Sequence, residues 1–140
     1  MLPLDDKAEA LDRMKLAGLR PTRQRLALAT LLFAGHDRHI TAEQLHCQAQ
    51  AASIKVSLAT IYNTLHQFTD AGLLREVVVE PGRSYFDTNI DDHHHFYVEG
   101  TGQLIDIPSQ SVSLSCLPEP PVGTMISRVD VIIRIGAAQA

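Results

Sequence analysis

Apolar side chains in the first half of the chain recur every three or four residues, which is the period of a helix packed on a core. Residues 5–17 form the first predicted helix, and Gly18 is suited to end it. Residues 23–34 form the second, which Thr22 caps and in which apolar side chains occupy nearly every side. The pattern therefore places this second helix at the centre of a core.

The next two predicted helices carry clear start signals. Thr41 to Gln44 match a capping box, which predicts a third helix that runs through about Ala52. Ser57 caps a fourth helix, and Gly72 ends it. The apolar positions of the fourth helix fall on one face: Leu58, Ile61, Leu65 and Phe68.

The opposite face of the fourth helix is polar but uncharged, unlike the lysine and glutamate mixture of an ordinary solvent-facing helix. It carries Tyr62, Asn63, His66 and Gln67. Asn and Gln pair bidentately with adenine, and Tyr can reach a phosphate or a thymine methyl group. This face is therefore a candidate for reading base edges.

A strand, a tight turn and a second strand follow the helices. The strands are residues 75–79 and 83–87, and Pro81-Gly82 forms the turn. Helices followed by a hairpin are the layout of a winged helix-turn-helix, in which Arg83 on the wing can approach phosphates or the minor groove. The competing interpretation is a small helical domain with no nucleic-acid partner.

The second half of the chain predicts strands instead of long helices. Strand patterns cover residues 96–98, 103–107 and 125–135, and residues 109–117 could form a short helix. A three-stranded sheet of this size is marginal alone, and its open edge or apolar face favours a homodimer. The predicted fold is α+β, with a winged helix-turn-helix DNA-binding domain over residues 1–88 and a small α/β dimerisation domain over residues 89–140.

Charge is distributed unevenly along the chain. The net charge is −4, but residues 1–80 carry nine basic and nine acidic side chains, whereas residues 81–140 carry three and seven. No acid lies between Arg13 and His36, so the basic side chains there form a patch that can meet phosphates, or else an ordinary solvated helix face. The patch, the fourth helix and the wing together give the candidate DNA contacts: Arg20, Arg23, Ser57, Thr60, Tyr62, Asn63 and Arg83.

Cysteine usage and hydropathy predict a cytoplasmic protein. Cys47 and Cys116 are isolated, and we expect buried thiols in a reducing compartment. The acidic start is unlike a signal peptide, and no apolar run approaches the ~18 residues of a membrane span. A membrane partner is therefore not expected.

The strongest chemical signal is a histidine cluster behind two aspartates, at residues 91–95. In a strand, His93 and His95 point to one face and His94 to the other. Imidazole suits zinc, copper and iron, while aspartate suits manganese or iron or orients a ligating ring. The alternative is a solvated polar loop that is rich in histidine.

Several of these segments resemble the ferric uptake regulator family and, within it, the iron response regulator branch. They are residues 18–25, 39–45, 57–65 and 85–87, together with the histidine cluster, and the resemblance covers nearly all of the chain from about residue 8. The family implies a winged-helix DNA-binding domain, a dimerisation domain, and regulation by iron or a related signal. Double-stranded operator DNA and a second copy of the chain are the implied partners.

The resemblance also implies metal ligands. The matching positions of the family's hinge site are His39, Asp87, His93 and His95. The family's second metal site falls on Asp92, His94, Asp106 and Asp130, although relatives have a histidine where Asp92 and Asp130 stand and an aspartate where His94 stands. The CxxC pairs that bind structural zinc in many members are missing, so no structural zinc is expected.

Two regulatory hypotheses and two alternatives follow. The His-x-His motif of the iron response regulator branch is implicated in haem binding, so the leading hypothesis is a dimeric regulator that haem releases from its operator. The second is a regulator that binds DNA when iron, manganese or zinc occupies the hinge site. A metalloenzyme lacks an evident acid-base partner, and a haem carrier would show no specific operator binding.

Overall fold

The computed structural model describes residues 4–138, and its internal contacts divide the chain into two compact units, Met1–Ile90 and Asp91–Ala140. In the first unit the elements are α1 (Leu4–Leu16), α2 (Arg23–Phe33), β1 (His39–Ile40), α3 (Ala42–Ala51), α4 (Leu58–Asp70), β2 (Arg75–Glu80) and β3 (Arg83–Asp87). In the second they are β4 (His93–Val98), β5 (Leu104–Pro108) and β6 (Ile132–Ile135).

Side-chain caps start three of the helices. The Thr22 hydroxyl accepts from the Arg25 amide, which starts α2. Thr41 and Gln44 exchange both bonds of a capping box at the start of α3, at 2.9 and 3.1 Å. The Ser57 hydroxyl accepts from the Thr60 amide at the start of α4. These bonds satisfy amide groups that have no partner within their own helix, and they confirm the predicted starts.

The core of the first unit packs α2 against the other helices. The second predicted helix is central, since Leu28, Ala29 and Leu32 are fully buried. The apolar face of α4 contributes Ile61, Leu65 and Phe68, also at 0% exposure. α4 is therefore fixed by its apolar face, which leaves its polar face outward.

A small antiparallel sheet completes the first unit, in the order β1-β3-β2. The β2–β3 hairpin confirms the predicted wing, and Gly82 in its turn has a φ of +77°, which glycine adopts without strain. Strand β1 was not predicted, because two residues are too few to show an alternating pattern. Its register places His39 opposite Asp87 and Ile40 opposite Phe86.

The second unit is built on a three-stranded sheet in the order β5-β4-β6. Strand β4 pairs antiparallel with β5 and parallel with β6. Its side chains alternate as predicted, with His93, His95 and Tyr97 buried and the alternate residues His94, Phe96 and Val98 half-buried. The central strand therefore carries the histidine cluster.

Two elements of the second unit differ from the prediction. Over residues 109–117 the structure has a single 3₁₀ turn, Ser109–Ser111, instead of a helix. Serines compete for backbone hydrogen bonds, and the residue before Pro118 avoids the helical region. The last strand begins at Ile132, which is the first residue in register with β4, and not at residue 125 as predicted. Most side chains from 112 to 128 are exposed, so the alternation there reflects no packing.

The cysteine prediction was wrong, because Cys47 and Cys116 are both exposed free thiols. Cys47 lies on the outer side of α3, and Cys116 lies in the irregular segment before β6. Isolated cysteines are usually buried, but neither position faces a core here.

None of the helices within residues 4–138 combines the length and the apolar composition that a membrane crossing requires.

Candidate metal site and nucleic-acid interface

Strand β4 directs two imidazoles toward one carboxylate of β5. His93 and His95 share the buried face of β4, and Asp106 is the Cα partner of His95 on β5. The Nε2 atoms of His93 and His95 lie 3.4 and 3.3 Å from Asp106 Oδ1. We call these three residues the β4–β5 ligand set.

A backbone contact fixes the tautomer of His93. Its Nδ1 atom contacts the carbonyl oxygen of Asp91, which can only accept a hydrogen bond, so Nδ1 carries the proton. The lone pair of neutral His93 is then on Nε2, which faces Asp106. Metal-ligating histidines are held in this way, with the far nitrogen donating to a carbonyl or carboxylate.

The spacing of the ligand set fits a divalent ion. Metal–ligand bonds of about 2.1 Å at octahedral or tetrahedral angles separate adjacent ligand atoms by about 3.0 to 3.4 Å. The two Nε2–Oδ1 distances of 3.3 and 3.4 Å fall in this range. Two imidazoles and one carboxylate suit iron, manganese and zinc.

A second pair of ligand-type side chains lies in the first unit. His39 and Asp87 face each other across β1 and β3, with His39 Nε2 3.4 Å from Asp87 Oδ2. Asp87 is 1% exposed, and its Oδ1 accepts from the Asn89 amide at 2.9 Å. His39 also borders an open cavity of about 540 Å³. We call His39 and Asp87 the β1–β3 pair.

The residues of the predicted second site have different partners. Asp106 belongs to the β4–β5 ligand set. His94 Nδ1 accepts from the Val131 amide at 3.2 Å, and Asp130 accepts from the Arg128 guanidinium at 2.9 Å. Within residues 4–138, Asp92, His94 and Asp130 belong to no cluster of three metal-ligating side chains.

The polar face of α4 is exposed over Tyr62, Asn63, His66 and Gln67. The rings of His66 and Phe86 make a T-shaped contact, with the ring centroids 5.6 Å apart. The remaining candidate DNA contacts also lie at the surface of the first unit. Arg20, Arg23 and Arg83 are exposed, whereas the side chains of Ser57 and Thr60 bond to each other at 3.0 Å at the start of α4.

Two contacts that the sequence did not predict hold this face. The Arg25 guanidinium donates through Nε and Nη2 to Gln67 Oε1, at 3.2 and 2.8 Å, and through Nη1 to the Arg20 carbonyl. Arg25 thus ties the start of α2 to α4. The pairing spans 42 positions and depends on how the helices cross, so no local sequence signal indicates it.

The second contact joins α3 to α4. The Tyr62 hydroxyl donates to Glu43 Oε1 at 2.6 Å. This bond, with a smaller contribution from the positive charge of Arg83, lowers the pKa of Glu43, and it raises the pKa of Tyr62. Glu43 was known only as part of the capping-box segment, and nothing in its spacing indicates Tyr62 as its partner.

Comparison with known proteins identifies the family. The sequence model described as the ferric uptake regulator family matches residues 16–115. The chain belongs to the ferric uptake regulator family. A peroxide-responsive repressor, PerR, from Staphylococcus epidermidis is 34% identical over 98 residues, which are 70% of this chain and 65% of that protein. The chain thus matches just under two thirds of the length of this relative.

Solved structures of the family share the fold. The ferric uptake regulator of Pseudomonas aeruginosa, determined with manganese, superposes with a TM-score of 0.69 at 22% identity, over 93% of this chain and 98% of that one. The ferric uptake regulator of Vibrio cholerae gives 0.69 at 23% identity, over 90% and 98%. These matches confirm the predicted α+β fold class. Assignment to the iron response regulator branch stays a prediction.

Proposed function

We propose that this chain is a metal-dependent transcriptional regulator of the ferric uptake regulator type. A homodimer binds double-stranded operator DNA through residues 1–88, and residues 89–140 supply dimerisation and sensing. The observation that carries the proposal is the β4–β5 ligand set, in which two Nε2 atoms lie 3.3 and 3.4 Å from one carboxylate oxygen. The fixed tautomer of His93 supports the same conclusion, because it leaves the lone pair of Nε2 available to an ion.

The hinge site in this proposal comprises His39, Asp87, His93 and His95, with Asp106 as a fifth ligand. A divalent iron, manganese or zinc ion bound by both the β1–β3 pair and the β4–β5 ligand set would favour one arrangement of the DNA-binding residues 1–88 over others. A ligand shifts such an equilibrium only by its difference in affinity for the two arrangements. The second metal site is left out of the proposal, since Asp106 serves the first.

The proposed DNA interface is the polar face of α4 together with the basic side chains around it. Tyr62 and Asn63 would reach base edges, while Arg20, Arg23 and Arg83 would meet phosphates. Ser57 and Thr60 would act at the start of α4, where backbone amides favour an anion. Two copies of this interface in a homodimer would match a palindromic site.

The test is DNA binding with and without the ion. A duplex is selected from a random-sequence pool with Mn²⁺ present, and its fluorescence anisotropy is titrated with protein after chelation and after Mn²⁺ is restored. We expect chelation to weaken binding at least tenfold and Mn²⁺ to restore it, and we expect His93→Ala to lose the response. His36→Ala, at an exposed loop histidine outside the site, is the matched control. A DNA affinity that does not change on chelation would contradict the proposal.

Haem release is the competing proposal from the sequence, since His93 and His95 could serve as axial ligands. Their burial at 5% and 2% and the nearness of Asp106 favour a small cation over a macrocycle. An absorption titration with haemin separates the two proposals. A Soret shift that His93→Ala/His95→Ala abolishes, together with DNA release by haemin and no effect of chelation, would establish haem sensing instead.

A response to peroxide is a second candidate function. Two histidines and one carboxylate are the ligand set of non-haem iron sites that react with oxygen species, and His93, His95 and Asp106 provide it. The 34% identical Staphylococcus epidermidis relative is described as a peroxide-responsive repressor. We expect hydrogen peroxide to abolish DNA binding by the Fe²⁺-loaded protein and to spare the Mn²⁺-loaded protein. Equal sensitivity with both ions would contradict this candidate.

A further inference from the structure

The Glu43–Tyr62 contact lies on the face that the proposed function assigns to DNA. Glu43 is the second residue of α3, and Tyr62 lies on the exposed face of α4. Their side chains meet at 2.6 Å, a short distance typical of a hydroxyl that donates to a charged carboxylate. An acid at this position is unexpected on a surface that meets phosphates, because like charges repel.

The contact uses the only proton that the Tyr62 side chain can donate. A phenol has one donor, and here that donor is directed to Glu43. Phosphate oxygens only accept hydrogen bonds, so Tyr62 held in this way has nothing to donate to the DNA backbone. What it retains is the ring, which can make apolar contact with the methyl group of thymine.

We propose that Glu43 is a positioning residue that determines specificity: by holding the hydroxyl of Tyr62 it makes this tyrosine a reader of thymine methyl groups instead of a phosphate contact. This inference rests on the proposed DNA-binding function and assigns a role in it to Glu43.

The electrostatics of the pair keep it in one protonation state. The hydrogen bond from Tyr62, aided by the charge of Arg83, lowers the pKa of Glu43, and the same bond raises the pKa of Tyr62. At neutral pH the carboxylate is therefore charged and the phenol protonated. The hydroxyl of Tyr62 therefore stays bonded to Glu43 over the whole range in which the protein would bind DNA.

Thymine replacement by deoxyuridine tests the proposal, because it removes only the methyl group. The selected duplex and versions with single dT-to-dU changes are titrated at saturating Mn²⁺, with a scrambled duplex as the non-specific reference. We expect at least one position at which the loss of the methyl weakens wild-type binding about fourfold, the value for one buried methyl group. Tyr62→Phe should keep this penalty, since it retains the ring.

Variants of Glu43 separate charge from hydrogen bonding. Glu43→Gln retains an acceptor oxygen, so we expect tighter binding to every duplex and an unchanged dU penalty. Glu43→Ala frees the phenol, so we expect the penalty to fall below about twofold and binding to the scrambled duplex to tighten. Asp70→Asn, at the exposed end of α4, is the matched charge control and should leave the penalty unchanged. Thermal melting followed by circular dichroism establishes that each variant is folded.

The double variant provides the decisive comparison. If Glu43 acts through the Tyr62 hydroxyl, Glu43→Ala in the Tyr62→Phe background should leave the dU penalty where Tyr62→Phe alone sets it. A full wild-type penalty in Glu43→Ala, or the same fall in both backgrounds, would overturn this proposal while metal-dependent binding stands. Failure of wild-type protein to bind any selected duplex with Mn²⁺ would overturn the proposed function, and this proposal with it.

Discussion

Replacement of Asp106 by asparagine tests which of two metal sites this aspartate belongs to. The sequence resemblance places Asp106 in the second metal site, whereas the structure places its Oδ1 3.4 and 3.3 Å from the Nε2 atoms of His93 and His95. Loss of residues that only orient metal ligands weakens binding about 10- to 100-fold, so loss of an anionic ligand shared by two imidazoles should weaken it by at least about 100-fold. That factor corresponds to about 2.7 kcal/mol of binding free energy.

The assay is Mn²⁺ affinity, measured by competition with a fluorescent chelator. Asp130→Asn is the matched control, because Asp130 is similarly exposed, at 39% against 45%, and its carboxylate accepts from Arg128. We expect the control to change the Mn²⁺ affinity less than about threefold, within the range of screened surface charges. Unchanged affinity in Asp106→Asn, or equal losses in both variants, would refute the assignment of Asp106 to the β4–β5 ligand set.

Three further predictions concern the first unit. Arg25→Met removes both bonds to Gln67 but keeps an apolar stem, so we expect the DNA affinity to fall severalfold and the free energy of unfolding to fall by about 1 kcal/mol. Fluorescence anisotropy measures the affinity, and thermal melting measures the stability. An unchanged affinity would contradict the role of Arg25 in holding α4. Thr41→Ala removes the hydroxyl that accepts from the Gln44 amide and should lower the free energy of unfolding by about 1 kcal/mol in a denaturant titration, whereas no change would show that α3 does not depend on this side-chain cap. The Glu43–Tyr62 bond should stabilise the fold fully between pH 4.5 and pH 10.0, which are the ordinary pKa values of a glutamate and a tyrosine. The pKa of Glu43 is lowered, so its contribution to stability is lost as the pH falls below this window. The pKa of Tyr62 is raised, so its contribution is lost as the pH rises above it. The difference in melting temperature between wild type and Tyr62→Phe should therefore be largest near neutral pH, and a difference that stays constant from pH 4 to 11 would contradict this.

The helices and the wing could be predicted because their signals are local. Thr22, Thr41 and Ser57 cap helices through bonds to residues only three positions away. The last strand could not be placed correctly, because its start depends on pairing with β4 and not on its own alternation. Two-residue β1 exists only through its pairing with β3, so it left no pattern to find.

The candidate metal ligands show the same division. Alternation along β4 predicted that His93 and His95 share a face, since the period of a strand follows from its backbone. That Asp106 joins them depends on the register between β4 and β5, and a shift of one residue would turn its side chain to the other face. Arg25 with Gln67 and Glu43 with Tyr62 depend on helix crossings in the same way. The sequence therefore allowed the candidate functional residues to be predicted, but not their partners on other helices and strands.

The proposed hinge site is tested by the stoichiometry of bound Mn²⁺, measured together with the metal dependence of DNA binding in wild type and in variants of both ligand groups. We expect one Mn²⁺ per chain and loss of Mn²⁺-dependent DNA binding in His39→Ala as well as in His95→Ala, because the proposed hinge site takes ligands from both groups. Two ions per chain, or metal-dependent DNA binding that survives in His39→Ala, would contradict it.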